Sequence, residues 1–293
     1  MNKPDIKKVN MLWNIFLTFI AVILFYLTVQ KDIKITDSSF STVSVFLAIA
    51  FISFLSEYTD SALGMGFGTI LTPVLLILGF SPLQVVPCLL ISETLSGLFA
   101  GAFHHALGNV NLKKGSEDNV AMKILASCSI LGTLFAVYCA VSLPKEMVKT
   151  YIAVMIIAIA IFLMLGNRLS LKYSRKKMVF LGLVAAFNKG ISGGGYGPLV
   201  TGGQVIIGVE EKKAIGITSF AEGLVCLVGV LSYLYFKTTD IDLFLAVPLC
   251  TGALLSVPLA AFTVKVVPPE IVRAKIGYAT LYLGILCFVK LFI

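Results

Sequence analysis

Charged residues are scarce in this sequence. Asp, Glu, Lys and Arg make up 13% of its 293 residues, and hydrophobic residues make up 58%, whereas an average soluble domain carries about 25% charged residues. No C-x-x-C pair and no Cys and His spacing of a zinc site or disulfide framework occurs. This composition argues against a separate soluble domain and predicts an all-α, polytopic integral membrane protein. No cofactor and no metal site are predicted.

The scarcity of histidine and the absence of a phosphate-loop motif limit the classes of function that fit the chain. The chain has only two histidines, His104 and His105, and no G-K-[ST] follows its glycine clusters, which excludes a phosphate loop. The net charge of +8 does not indicate nucleic-acid binding, because the positive-inside rule gives membrane proteins such an excess. The expected surroundings are a lipid bilayer, with no nucleic-acid partner. The oligomeric state is left open, with a homo-oligomer as one option.

Long apolar runs predict transmembrane helices, since about 20 apolar residues cross a hydrocarbon core of about 30 Å. Two apolar regions, 43–79 and 178–208, are interrupted by glycine clusters. Their uninterrupted arms of about 10–14 residues would span only about 15–21 Å, so we expect each region to form a re-entrant or broken-helix hairpin. The predicted full-length spans are 11–29, 83–103, 121–142, 149–165, 214–236, 242–262 and 275–292.

The two interrupted regions repeat each other. A shift of 129 residues aligns Gly64 with Gly193, Gly66 with Gly195, Phe67 with Tyr196, Gly68 with Gly197, Thr72 with Thr201 and Glu93 with Glu222. Each repeat is expected to hold one glycine-rich hairpin and three transmembrane helices, which indicates a transporter binding site at the glycine clusters. The predicted segments are an N-terminal transmembrane helix and outer loop at 1–42, a first repeat at 43–165, a basic cytoplasmic linker at 166–177 and a second repeat at 178–293.

The distribution of Lys and Arg supports the hairpins. If both hairpins return to the side they start from, 16 of these residues share one side, 6 share the other, and Lys189 lies within the membrane. Single crossings would give 12 against 10, so the positive-inside rule favours hairpins. Each half then crosses an odd number of times, and the two halves are inverted. We expect a multi-pass protein of the cell (cytoplasmic or inner) membrane, with its N-terminus in the cytoplasm and its C-terminus outside.

The repeated segments resemble a known family. "GMGFGTILTPVL" and "GISGGGYGPLVTGG", each followed by an apolar helix with a central Glu, are similar to the sulfite exporter TauE/SafE family of membrane permeases. The resemblance covers about residues 43–293. It implies a transporter, not an enzyme, for small sulfur-containing or organic anions such as sulfite, sulfonates or sulfoacetate. Members of the family differ in substrate and direction.

The broken helices suggest an anion site. Helices that start near Tyr196 and Phe67 would direct free N–H groups and positive dipole ends toward the bilayer centre. Lys189 costs about 2.5–3.5 kcal/mol at membrane depth, so we expect it to face a cavity and the anion. Two alternatives are that the glycines only permit close packing, and that Lys189 extends to the membrane surface. The candidate substrate-binding residues are Asn188, Lys189, Ser192, Gly194, Gly195, Tyr196, Thr201, Gln204, Gly66, Phe67, Gly68 and Thr72.

Acidic residues accompany this site. Glu93 and Glu222 occupy equivalent positions near the middle of their helices, where they either carry protons or cap freed backbone N–H groups. Asp60 has no acidic counterpart, because it aligns with Lys189. We place Asp60 at the outer mouth of the site.

Two further functions fit parts of this pattern, an intramembrane serine protease and a channel. "GISG" would make Ser192 a nucleophile, but such chemistry needs a base within hydrogen-bond reach, and both histidines lie at a predicted helix end. The glycine frame, not the serine, is the repeated feature, which favours transport over proteolysis. A channel could use the same helix ends without alternating access and stays open as an alternative.

Electrostatics favours export over uptake. Moving one elementary charge through 100 mV is worth about 2.3 kcal/mol, so an anion leaves a negative interior without any coupled ion. Uptake would need co-transported protons or sodium. We expect a strongly positive site with no cation cage, which favours potential-driven export, with a proton-coupled uptake permease as the alternative.

Overall fold

The computed structural model describes residues 39–165, 174–236 and 241–266, and five single residues after position 280. Throughout this part of the chain the regular structure is α-helical, with no strand, as the composition predicts. The helices are α1 (Ser39–Leu63), α2 (Phe67–Ile77), α3 (Pro82–Ala106), α4 (Glu117–Ser142), α5 (Lys145–Leu165), α6 (Arg175–Ser192), α7 (Tyr196–Ile206), α8 (Glu211–Tyr235) and α9 (Leu243–Val266).

The long helices coincide with the predicted spans. Helices α3, α4, α5, α8 and α9 each match one span to within four residues at either end. By length and composition, α1, α3, α4, α8 and α9 are long and apolar enough to cross a membrane. The predicted span 11–29 lies outside the described residues, as does most of 275–292.

Each glycine-rich hairpin has one long arm and one short arm. The short arms, α2 and α7, have 11 residues each, whereas α1 has 25 and α6 has 18. The prediction of two short arms is therefore wrong for the first arm of each hairpin. The polar residues before the break do not end α1, because their side chains bond within the helix: Ser61 Oγ donates to Glu57 Oε1 at 2.6 Å, and Thr59 Oγ1 donates to the Leu55 carbonyl.

The long arms end at equivalent glycines. Gly64 and Gly193 follow the last residues of α1 and α6 and have φ values of 67° and 72°. This left-handed conformation is strained for residues with a Cβ atom, so glycine is favoured as the helix terminator. The amide of Gly193 donates to the Lys189 carbonyl at 2.8 Å. The chain thus makes the same turn at the same position of each repeat.

The helix boundaries repeat as the sequence does. Helices α2 and α7 have equal lengths, as do α3 and α8, and both pairs start and end 129 positions apart. In the packing, α1 lies mainly against α9, α6 lies mainly against α4, and α3 lies mainly against α8. The first helix of each half thus packs on the fourth helix of the other half, and the two third helices pack on each other. This exchange is the pattern of a pseudo-twofold arrangement, and the inversion of the halves across the membrane stays a prediction.

Small residues allow α1 and α9, and likewise α4 and α6, to approach each other closely. A Cβ atom on Gly252 of α9 would overlap with the carbonyl oxygen of Ala50 in α1. Likewise, a Cβ atom on Gly132 of α4 would lie 2.6 Å from the carbonyl oxygen of Leu183 in α6. These contacts hold the two halves around the broken helices.

Candidate functional site

The two helix breaks pack against each other. A Cβ atom on Gly68 would overlap with the carbonyl oxygen of Gly193, and one on Gly197 would lie 2.5 Å from the carbonyl oxygen of Gly64. Both pairs join equivalent residues of the two halves in opposite order. The glycines therefore do permit close packing, which is one of the alternatives for their role. We call this backbone contact of Gly64 and Gly68 with Gly193 and Gly197 the crossing. Because backbone meets backbone here, the two helix starts are brought into one buried region.

The short helices begin at this crossing, as predicted. Phe67 and Tyr196 are the first residues of α2 and α7, both are fully buried, and no side chain caps either helix start. A Cβ atom on Gly197 would lie 3.2 Å from Asp60 Oδ1. A carboxylate of the protein therefore lies beside the first turn of α7, where the positive helix end favours negative charge.

Lys189 forms a buried ion-pair triad with Glu93 and Glu222. Its ammonium donates to Glu222 Oε1 at 2.8 Å and also pairs with Glu93 Oε2. Only 1% of Lys189 is exposed, so the alternative that it extends to the membrane surface is wrong. The two glutamates bind this ammonium, not the backbone N–H groups of a broken helix. The triad joins α3, α6 and α8 at the centre of the described fold.

Asp60 belongs to the same region. One carboxylate oxygen from each of Asp60, Glu93 and Glu222 lies within 4.8 Å of the others, and all three residues are buried. Its placement at an outer mouth is therefore wrong, because α1 continues to Leu63 and carries Asp60 into the interior. The sequence signal was present: Asp60 aligns with Lys189, so the equivalent position holds an ionisable residue in both halves.

The charge balance around Lys189 is acidic. Glu57, buried one helical turn before Asp60, interacts electrostatically with Glu222 and Lys189. The acidic cluster, defined as Glu57, Asp60, Glu93 and Glu222, thus supplies four carboxyl groups for one ammonium. The expectation of a strongly positive site is wrong. Lys189 was visible as an isolated charge in the sequence, but the acidic residues around it come from three other helices.

Hydrogen bonds fix the turn between α6 and α7. Ser192 Oγ donates to the Asn188 carbonyl at 2.7 Å and accepts from the Gly194 amide at 3.1 Å. From the other half, Thr72 Oγ1 donates to the Ser192 carbonyl at 2.8 Å. These predicted site residues therefore link the two breaks and hold the crossing in place. The nearby Gly195 adopts a φ of 80°, and Gly66 a φ of 156°.

A separate polar group connects α7 with α8. Thr201 Oγ1 and Gln204 Nε2 both donate to Thr218 Oγ1, at 2.9 and 2.8 Å, and all three side chains are fully buried. The amide oxygen of Gln204 has no hydrogen-bond partner among the described residues. The sequence does not indicate Thr218 as a site residue, because the equivalent residue of the first half is the apolar Leu89.

Asn188 and Tyr196 contact polar side chains of α5 and α4. Tyr151 of α5 donates its hydroxyl hydrogen to Asn188 Oδ1, and the Tyr196 hydroxyl lies 3.3 Å from Ser129 Oγ of α4. All the predicted site residues are therefore buried, but in this structure the Lys189 ammonium contacts carboxylates.

An intramembrane serine protease with Ser192 as its nucleophile would need a general base beside that residue. His104 Nε2 lies 2.8 Å from the Ser61 carbonyl and Nδ1 lies 3.0 Å from Asn109 Nδ2, so both ring nitrogens are engaged. The Ser192 hydroxyl bonds to backbone groups. No described residue forms the nucleophile and base pair that such chemistry needs.

Comparison with known proteins assigns the fold to a family. A family model described as "Sulfite exporter TauE/SafE" matches residues 48–287. The chain belongs to the TauE/SafE family. It is also 24% identical over 244 residues to a protein of Bacillus subtilis (strain 168) named "Probable membrane transporter protein YtnM", covering 79% of this chain and 78% of that relative. No solved structure matches the chain.

Family membership confirms several expectations from the sequence. This TauE/SafE protein is a multi-pass membrane transporter of the permease type, and not an enzyme. The resemblance seen in the two glycine motifs is thereby confirmed.

Proposed function

We propose that this TauE/SafE protein is a carrier of small anions of the sulfite and sulfonate class, acting in the cell membrane. The observation that carries the proposal is the buried ammonium of Lys189 beside the crossing of two broken helices. A lysine buried this deeply in a membrane protein is costly and is typical of a substrate or ion site. The N-terminus is proposed to lie in the cytoplasm and the C-terminus outside.

The anion is proposed to bind between Lys189 and the starts of α2 and α7. Both helix starts lack a side-chain cap, so the backbone N–H groups of their first turns are available to an anion. In this structure, Glu93 and Glu222 pair with the Lys189 ammonium, and Asp60 lies beside the first turn of α7. Anion binding therefore requires a carboxylate to leave.

The pseudo-twofold packing suits a carrier. The two halves make equivalent contacts on either side of the crossing, and transporters built from repeats open by moving one repeat or bundle against the other around a fixed site. The inverted halves predicted from the sequence would present the same surface to each side of the membrane. We therefore favour alternating access over a continuous channel.

Proton-coupled uptake is the direction that the acidic cluster favours. The sequence argument for export assumed a strongly positive site with no cation cage, and four carboxyl groups surround Lys189 instead. Such groups are the usual proton carriers of transporters. Potential-driven export is the second candidate, and the observation that favours it is the family's description as a sulfite exporter.

Counterflow in proteoliposomes tests the carrier function. Vesicles loaded with unlabelled methanesulfonate, sulfite, sulfoacetate or acetate are diluted into labelled anion, and a carrier transiently concentrates the label. We expect counterflow with methanesulfonate and sulfite. With the membrane potential held at zero by potassium and a potassium ionophore, a channel would give no overshoot. Vesicles that exchange none of the four anions would contradict the proposal.

A charge-conserving variant tests the site. Lys189→Gln combined with Glu222→Gln removes one ammonium and one carboxylate, so the net charge of the cluster is unchanged. This variant is expected to lose counterflow, whereas Lys149→Gln, which removes a partly exposed lysine paired with Glu146, retains it. Wild-type counterflow in the double variant would exclude Lys189 as an anion ligand.

A further inference from the structure

The ion-pair triad contains one more carboxylate than its ammonium can neutralise. Glu93 and Glu222 both pair with Lys189, and each is at most 4% exposed. Taking a charge out of water is unfavourable unless it is paired, and buried ionisable groups often bind a proton instead. One of these two carboxylates is therefore easily replaced by another anion, provided that the displaced group is neutralised.

We propose that Lys189 exchanges partners during transport and thereby couples the anion to protons. This inference rests on the proposed anion-carrier function. An incoming anion takes the place of Glu93 or Glu222 on the ammonium, and the displaced carboxylate binds one proton to become a carboxylic acid. Lys189 keeps its proton throughout. On release, the carboxylic acid loses its proton and pairs with Lys189 again, so one proton accompanies each anion.

The surroundings of the triad provide a place for the proton. Glu93 Oε1 is buried and has no hydrogen-bond partner among the residues described, so it is free to accept a proton while Oε2 faces Lys189. On α8, Cys226 Sγ lies 4.0 Å from Glu93 Oε2. Because a neutral thiol does not compensate a negative charge, Glu93 depends on Lys189 for charge compensation.

The other titratable groups around the triad have different partners. From α1, Glu57 accepts from Ser61. Asp60 has a carboxylate oxygen within 4.8 Å of those of Glu93 and Glu222, and it lies beside the first turn of α7. From α7, the Tyr196 hydroxyl faces Ser129. In the described part of the chain only Glu93 and Glu222 form ion pairs with Lys189, so the exchange is assigned to these two.

The exchange makes transport electroneutral. With a monoanion bound and one glutamate protonated, the site carries the same net charge as the empty site with both glutamates ionised. The membrane potential then has no effect on the gradient at equilibrium. A difference of about one pH unit can sustain about a tenfold gradient of a monoanion, with accumulation on the alkaline side.

Methanesulfonate is the probe for the experiment, because it remains a monoanion throughout the neutral pH range. Proteoliposomes containing the full chain receive a pH gradient at zero potential, or a potassium-diffusion potential at equal pH. The wild type is expected to accumulate labelled methanesulfonate about tenfold per pH unit, and to accumulate none in response to the potential. Accumulation that follows the potential and ignores the pH gradient would overturn the proposal.

The double variant Glu93→Gln with Glu222→Gln tests the assigned residues. Glutamine resembles the protonated glutamate but cannot release a proton. The variant is therefore expected to lose accumulation driven by pH, and any methanesulfonate counterflow that remains should no longer depend on pH. Glu146→Gln, at an exposed glutamate, is the matched control and should behave as the wild type. Double-variant accumulation that still follows the pH gradient would exclude these two residues as the proton carriers.

The experiments distinguish failure of the proposed carrier function from failure of the proton coupling. Counterflow exchanges one anion for another and needs no net movement of protons, so its absence from the wild type contradicts the carrier. Normal wild-type counterflow with no response to the pH gradient contradicts only the coupling. The wild-type measurement decides the coupling even if the double variant fails to fold.

Discussion

Asp60 and Lys189 occupy equivalent positions in the two halves and carry opposite charges. Each lies three residues before the end of a long arm, α1 for Asp60 and α6 for Lys189. Both join the buried region of Glu93 and Glu222, which are themselves equivalent. Exchange of the two halves would therefore leave the glutamates in place and interchange the acid with the base.

A reciprocal charge exchange tests this relationship. Asp60→Lys alone adds a second buried ammonium, and Lys189→Asp alone removes the only ammonium in the described cluster, so both single variants are expected to be strongly destabilised, by about 3–5 kcal/mol. The double variant restores one ammonium beside both glutamates and should recover much of the loss. Thermal unfolding in detergent measures all three. A double variant no more stable than the singles would show that the two positions are not equivalent.

Removal of Lys189 should destabilise the fold and not only the anion site. From the sequence alone, Lys189→Ala would be expected to leave folding nearly normal. The structure changes that expectation, because the substitution leaves two buried carboxylates without their ammonium, which typically costs about 3–5 kcal/mol. We expect the midpoint of thermal unfolding to fall by on the order of 10 °C.

Removing the carboxylates together with Lys189 provides the control. Lys189→Ala combined with Glu93→Gln and Glu222→Gln leaves no uncompensated charge in the triad, so this variant should unfold at a higher temperature than Lys189→Ala. Equal unfolding temperatures for the two variants would show that the buried pairs contribute little to stability.

The sequence predicts the frame of this site better than its electrostatics. The glycine breaks, the starts of α2 and α7 at Phe67 and Tyr196, and the pairing of Glu93 with Glu222 all follow from a local pattern and its repetition. A shift of 129 residues preserves such features because each is encoded within one segment.

The partners of Lys189 could not be predicted in the same way. They come from helices that only the tertiary packing brings together, and the repeat offered an acid, Asp60, in the position of the base. The length of α1 was missed for a related reason. The polar stretch before Gly64 has the appearance of a helix end, but hydrogen bonds within the helix and the buried acidic cluster accommodate it. Apolar periodicity carries no information about such internal pairing.

Gly68 is expected to tolerate no side chain. A Cβ atom there would overlap with the Gly193 carbonyl oxygen and lie 2.7 Å from the Gly194 Cα atom, and these are backbone atoms that cannot turn away. Overpacking of this kind costs about 1–3 kcal/mol or more, so Gly68→Ala should lower the unfolding temperature and abolish anion counterflow.

Gly182→Ala is the matched control for Gly68→Ala. Gly182 also lies within a helix, α6, and its added Cβ atom would meet Leu125 at an ordinary distance of 3.5 Å. This variant should unfold and transport as the wild type does. Normal counterflow in Gly68→Ala would show that the two breaks do not need to touch.

The inverted arrangement of the halves makes a prediction about sidedness. Helix α4 is long and apolar enough to cross the membrane, so Lys113 before it and Lys145 after it should lie on opposite sides. If α5 crosses as well, Arg175 returns to the side of Lys113, and the positive-inside rule makes that side the cytoplasm. Single cysteines at the three positions, in a cysteine-free background, are labelled in intact cells with a reagent that does not cross the membrane. We expect labelling of the cysteine at position 145 and none at positions 113 and 175 until the cells are opened. Labelling of positions 113 and 175 from opposite sides would mean that the first half does not cross an odd number of times, and the inverted repeat would have to be abandoned.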